Sequence, residues 1–267
     1  MTSLLTLSNW IDRLRPMGTG SGMIIIAGMP KSGTTAIAKL LGIATGRSVC
    51  GDPFHRLGEQ TKIDFREEIY GNKRPLQSIW REYRCFFSGT IIKDPNFSLL
   101  LPQVRTLFPN AQLVFIIRDP RDTIRSILNR LNLPGRPNGI DLDSTDIPPG
   151  WRKVLMGQTP KIEGKDYIEI LSKHWVMSAQ AYLEHRHSCL LIRHEDFEHT
   201  KTTAIYGLAA LLGYPVVSDI SDFVDVQYQP KGDSNVSWTE FYGEPSLKAI
   251  DRATAPTLEQ FGYAPTS

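Results

Sequence analysis

The sequence predicts an α/β fold: a doubly wound parallel sheet with helices on both faces and a P-loop-like turn at one strand end. Three observations predict it. Apolar runs of strand length recur without polar interruption, the pattern of strands covered on both faces. Each run is followed by a segment of helical spacing, so the chain repeats a βα unit. The first run also enters a glycine-containing turn that opens a helix, where backbone N–H groups converge on one point.

In chain order, a strand from Met23 to Ala27 precedes a helix from Thr34 to Leu41, and Gly89 to Ile92 precedes Ser98 to Phe108. Leu113 to Ile117 precedes Pro120 to Leu131, and Cys189 to Ile192 precedes Thr202 to Leu212. A longer helix from Asp166 to His185 carries Ile168, Leu171, Trp175, Ala179 and Tyr182 at three- and four-residue steps, a stripe expected in the core. Residues 132–165, with Pro134, Pro137, Pro148, Pro149 and Pro160, form an irregular stretch of the kind that serves as a lid over a binding site. No repeat or linker divides the chain, so residues 1–267 are expected to form one domain, with 1–21 as an N-terminal extension.

With 41% hydrophobic and 22% charged residues, the 267-residue chain is neither disordered nor fibrous. Thirty Lys and Arg against 28 Asp and Glu leave a formal charge of +2, too small to mark a nucleic-acid or membrane surface. Any anionic partner must be held by a local cluster. Asp12, Arg13 and Arg15 interrupt the apolar character of the first twenty residues, so no signal peptide is expected there. No apolar run approaches the roughly 20 residues that cross a bilayer. Cys50, Cys85 and Cys189 make neither a disulfide framework nor a zinc pattern, and the expected setting is the cytoplasm.

The most informative segment is Ile24-Ile25-Ile26-Ala27-Gly28-Met29-Pro30-Lys31-Ser32-Gly33-Thr34-Thr35. Its strand, turn and helix start make an anion site from backbone N–H groups and the helix dipole. The spacing from Gly28 to Gly33 is that of the nucleotide-triphosphatase loop, but Thr34 stands where that loop has its lysine, and the cation is Lys31 inside the turn. A kinase or ATPase would lack the lysine that reaches the terminal phosphates. A second segment, Leu113 to Ile117 followed by Arg118-Asp119-Pro120-Arg121-Asp122, places Arg118 at a strand's carboxyl end, with Asp119 as helix cap and Pro120 in the first turn. Arg130 shares a helix face with Ser126 and adds charge there, whereas Arg121 and Arg125 are expected on a solvated face.

Pro30 to Thr35 resembles the 5′-phosphosulfate loop of the sulfotransferases that use 3′-phosphoadenosine 5′-phosphosulfate (PAPS), and Arg118 with Ser126, eight residues on, resembles their 3′-phosphate motif. The resemblance runs from about Met23 to Tyr263 through three further segments. Ile92-Lys93-Asp94-Pro95-Asn96 resembles the Lys-x-Pro segment of tyrosylprotein and carbohydrate sulfotransferases. Arg193-His194-Glu195-Asp196-Phe197 resembles an Arg-Tyr-Glu-Asp-Leu segment, with His194 in place of the tyrosine, and Leu258 to Tyr263 resembles the usual C-terminal end.

This resemblance implies a phosphosulfate-binding turn and a cofactor site of Lys31, Ser32, Gly33, Thr34, Thr35, Arg118, Ser126 and Arg130, with Lys231 and Ser234 in a nucleotide-covering loop at 229–243. It implies Lys31 and Lys93 as the catalytic cations and Asp52, in a Cys-Gly-Asp segment, as the leading candidate for the base, with His55 and Glu59 open. No metal is implied, and His185, His187, His194 and His199 are expected to be solvated or structural. The implied activity is sulfuryl transfer from PAPS to a hydroxyl or amine of a small-molecule acceptor, releasing adenosine 3′,5′-bisphosphate (PAP). Asp141, Asp143 and Asp146 in the acceptor lid suggest a cationic or polyhydroxylated acceptor. The alternatives are a carbohydrate or peptide sulfotransferase, a kinase-like P-loop enzyme and a non-catalytic nucleotide-binding protein.

Overall fold

The computed structural model describes residues 22–228 and 236–266; Lys231, Ser234, the extension 1–21 and the first part of the 229–243 loop lie outside the described residues. Five strands, β1 (Ile24–Gly28), β2 (Val49–Gly51), β3 (Ile91–Lys93), β4 (Gln112–Ile117) and β5 (Cys189–Arg193), make one parallel sheet in the order β2-β3-β1-β4-β5. The described helices are α1 (Thr34–Thr45), α2 (Pro53–Thr61), α3 (Phe65–Tyr70), α4 (Leu76–Glu82), α5 (Leu101–Leu107) and α6 (Pro120–Arg130). They continue as α7 (Pro149–Leu155), α8 (Tyr167–His185), α9 (His194–His199), α10 (Lys201–Leu211) and α11 (Trp238–Leu258).

The uninterrupted apolar runs follow from burial on both faces. Ile25, Ala27, Leu113 and Phe115 enter one core, with Ile124 of α6, Trp175 of α8 and Ile250 of α11. Their chain neighbours Ile24, Ile26, Val114 and Ile116 enter a second core, with Ile37 of α1 and Leu208 of α10. All four expected strands form within two residues of their expected ends. The edge strand β2 adds to them; with Val49 and Gly51 exposed, its three residues carry almost no apolar signal.

Local chemistry fixes the longer helices. Asp166 caps α8 by accepting the N–H groups of Ile168 and Glu169, each at 3.0 Å. The five-residue stripe of α8 is buried throughout, as its spacing predicts. Asp119 caps α6 by accepting Arg121 N–H at 2.9 Å, with Pro120 opening the helix. The segment 132–165 is packed rather than loose: it contains α7, buries Leu133, Ile147, Val154, Leu155 and Ile162, and receives the Tyr167 hydroxyl on the Pro134 carbonyl at 2.7 Å.

Candidate active site

All five strands end on one cleft of about 1160 Å³ at the carboxyl edge of the sheet. β1 runs into the glycine turn, β2 into Asp52, β3 ends on Lys93, β4 is followed by Arg118 and β5 by His194. Neighbouring strands β1 and β4 send their following helices to opposite faces, since α1 packs in one core and α6 in the other. That reversal opens a crevice beside the strand ends, the place where open α/β sheets bind ligands. There Arg118 Nη1 donates to the Lys31 carbonyl at 3.1 Å, and Trp175 Nε1 donates to the Arg118 carbonyl at 2.9 Å.

The turn requires its glycines. Gly28 has φ 149°, and a Cβ there would lie 2.4 Å from the Ile116 carbonyl oxygen. Gly33, at φ 92°, would put a Cβ 2.4 Å from His194 Nδ1. Lys31 adopts φ 70° within the same turn. Gly33 occupies the N-cap of α1 with no capping side chain and no acidic residue in the first turn, so the positive helix end meets the cleft unopposed by its own residues.

Lys31, Gly33, Thr34, Thr35, Lys93, Arg118, Ser126 and Arg130 all line this cleft; Ser32 does not. Its side chain is buried, and both its hydroxyl, at 2.7 Å, and its N–H, at 3.2 Å, donate to the Met29 carbonyl, so Ser32 closes the turn. Arg121 and Arg125 also depart from the solvated face expected for them. Arg121 is buried, paired with Asp119 at 2.6 Å and donating to the Ala264 carbonyl at 2.8 Å. Arg125 binds Asp122 and the Val236 carbonyl, each at 2.6 Å, anchoring the chain just beyond residues 229–235. Of the histidines, His187 and His199 are exposed, whereas His194 lies in the cleft against Gly33. Asp141, Asp143 and Asp146 are exposed and line none of the cleft, which removes the argument for a cationic acceptor.

Four cations facing one volume oppose one another. Burial first, then the charges of Arg130, Arg118 and Lys93, push the Lys31 ammonium down to about 8. An anion bound beside Lys31 raises that value again. The sign follows: below about pH 7 the ammonium is already formed in the free protein, whereas above about pH 8 binding must take up a proton and weakens as pH rises. Calorimetry of PAP near that pH in two buffers of different ionisation enthalpy should show proton uptake, and Lys31→Met should abolish it.

Across the cleft, Lys93 is 3% exposed and its ammonium contacts both Asp52 oxygens, at 2.8 and 3.0 Å. Asp52, at φ 47°, turns the chain from β2 into α2, and its N–H donates to the Lys93 carbonyl at 2.7 Å. Asp94 holds the same corner from beneath, accepting Phe54 N–H at 3.1 Å and Asn96 N–H at 2.9 Å. Burial first, then the nearby Asp52 charge, pushes the Asp94 carboxyl up to about 6. His55 and Glu59 pair with each other at 3.4 Å along α2, with side chains 72% and 67% exposed, and both line the cleft. Among the described residues no group of His, Cys, Asp and Glu is placed to hold a metal, and no helix is long and apolar enough to cross a membrane.

No family model matches the chain. It is 24% identical over 280 residues to a Caenorhabditis briggsae protein named a protein-tyrosine sulfotransferase, a match covering 92% of this chain and 90% of that protein. Among solved structures, sulfotransferase STF9 from Mycobacterium avium matches with a TM-score of 0.59 at 14% identity, over 98% of this chain and 81% of that one. Mouse sulfotransferase SULT7A1 complexed with PAP matches with a TM-score of 0.50 at 14% identity, over 94% and 89%. The fold is the sulfotransferase fold. The two motifs and the similarity over 92% of the chain support sulfotransferase activity.

Proposed function

We propose that this enzyme transfers the sulfuryl group of PAPS to the phenolic hydroxyl of tyrosine in a protein or peptide, in place of the small-molecule acceptor expected from the sequence. The observation that carries this reading is the similarity, over 92% of the chain, to a protein bearing a protein-tyrosine sulfotransferase name. The cleft supports it. Beyond Asp52 and Lys93 it continues past Phe65, Arg66, Trp151, Lys153 and Thr159, room for chain on either side of a tyrosine.

The residues fit the donor. The N–H groups at Gly33, Thr34 and Thr35 with Lys31 take the 5′-phosphate, and Arg118, Ser126 and Arg130 take the 3′-phosphate. Bound PAPS supplies an activated sulfuryl group and a phosphate leaving group. Lys31 neutralises the charge that grows on that phosphate as its bond to sulfur breaks. Asp52 takes the proton of the acceptor hydroxyl as the hydroxyl oxygen bonds to sulfur. A protonated Asp52 no longer holds Lys93 as an ion pair, which would leave that ammonium's charge for the sulfuryl oxygens of bound PAPS.

The acceptor is tested with sulfur-labelled PAPS and EDTA present. A single-tyrosine peptide is expected to be labelled with a kcat/KM at least about tenfold above that of p-cresol, because contacts remote from the hydroxyl lower the barrier. The same peptide with phenylalanine should take no label. Equal or better transfer to p-cresol would return the small-molecule reading, and activity that needs added magnesium would favour a kinase-like enzyme.

A further inference from the structure

Among the buried polar side chains that line the cleft, His174 is left unused by donor binding and proton transfer. His174, on α8, is 7% exposed, and its Nδ1 has no hydrogen-bond partner among the described residues. The next residue, Trp175, donates to the Arg118 carbonyl, so this turn of α8 adjoins the strand end that carries Arg118. Lining the cleft with His174 on the acceptor side are Arg66, Tyr70, Asn96, Trp151 and Thr159. A buried nitrogen without a partner destabilises a fold, a cost that a bound partner removes.

We infer that His174 is an acceptor-binding subsite that hydrogen-bonds an uncharged main-chain amide of the peptide next to the reacting tyrosine, an inference that rests on the peptide reading above. Burial first, then the charge of Arg66, holds the His174 imidazole down to about 4, so the ring is neutral at physiological pH. A neutral imidazole has one N–H and one lone pair. An amide can meet either group, its carbonyl accepting from the ring N–H or its N–H donating to the ring lone pair, whereas a carboxylate would call for an imidazolium beside Arg66. His174 thus sets register along the acceptor chain, and the reacting hydroxyl stays with Asp52 and Lys93.

The test compares three acceptors, a single-tyrosine peptide, its analogue with esters replacing the amides flanking tyrosine, and p-cresol, against wild type, His174→Leu and His174→Asn. In the wild type the ester analogue should show a KM about tenfold above the parent peptide. His174→Leu should raise the parent KM by about the same factor, add nothing further to the ester analogue and leave p-cresol and PAP affinity unchanged. His174→Asn, which keeps a donor and an acceptor, should recover most of the loss. Should the Leu variant fail to fold, the Asn variant and the ester comparison in the wild type decide the matter. A parent KM indifferent to both His174→Leu and ester replacement overturns the subsite alone. Transfer to p-cresol but to no peptide overturns the peptide reading and the subsite together.

Discussion

Lys31→Ala is expected to lower turnover by about 10² to 10³ while weakening PAP binding far less. The affinity for a phosphorylated nucleotide is spread over Arg118, Arg130, Lys93 and the N-terminal end of α1, so removing one of several cations leaves most of it in place. Turnover depends on the charge at the glycine turn, because negative charge on the leaving phosphate is greatest in the transition state. Removing Lys31 also relieves repulsion among the remaining cations, the repulsion that, after burial, lowers its own titration to about 8. Single-turnover rates with calorimetric PAP affinities separate the two effects. A large loss of affinity with unchanged turnover would make Lys31 a binding residue only.

Asp52→Asn is expected to lower kcat by about 10² to 10⁴, the usual worth of a general base, with PAP binding intact. The replacement amide oxygen can still accept from Lys93, now 2.8 Å from Asp52, so the corner between β2 and α2 keeps its anchor. What it loses is the capacity to take a proton. His55→Ala and Glu59→Gln should remain near wild type, since those exposed side chains contact each other and not Lys93. Near-full activity in Asp52→Asn with a dead His55→Ala or Glu59→Gln would move the base to that residue.

The sheet was legible because each central strand is apolar on both faces, and the phosphate turn because Gly28 and Gly33 carry conformations that few other residues adopt. The helices α2, α3, α4, α7 and α9 were not, since six to nine residues are too few for a helical repeat to register, and α11 was not because Gly243, Pro245 and Pro256 break its pattern, so that residues 238–242 were expected in a loop and are helical instead. Polar side chains divided along the same line. Arg118, Ser126 and Lys31 meet because strand ends adjoin. Ser32 has the same chemistry in the sequence but is absorbed by the Met29 carbonyl. Arg121 looks solvated on its own helix, and its burial depends on Asp251 and Ala264, far along the chain. His174 sits one residue off the apolar stripe of α8, and only the packing of α8 beside the cleft places it on the cleft wall.

The central claim is that this cation cluster reads a 3′-phosphate as well as a 5′-phosphate. Calorimetry of PAP against AMP tests it directly. The wild type should bind PAP at least about tenfold more tightly, since charge-assisted hydrogen bonds contribute about 1.5 to 3 kcal/mol each. Arg118→Ala should reduce that preference sharply by removing the guanidinium that follows β4. Equal affinity of the wild type for PAP and AMP would contradict the assignment of the donor and, with it, the account of the site.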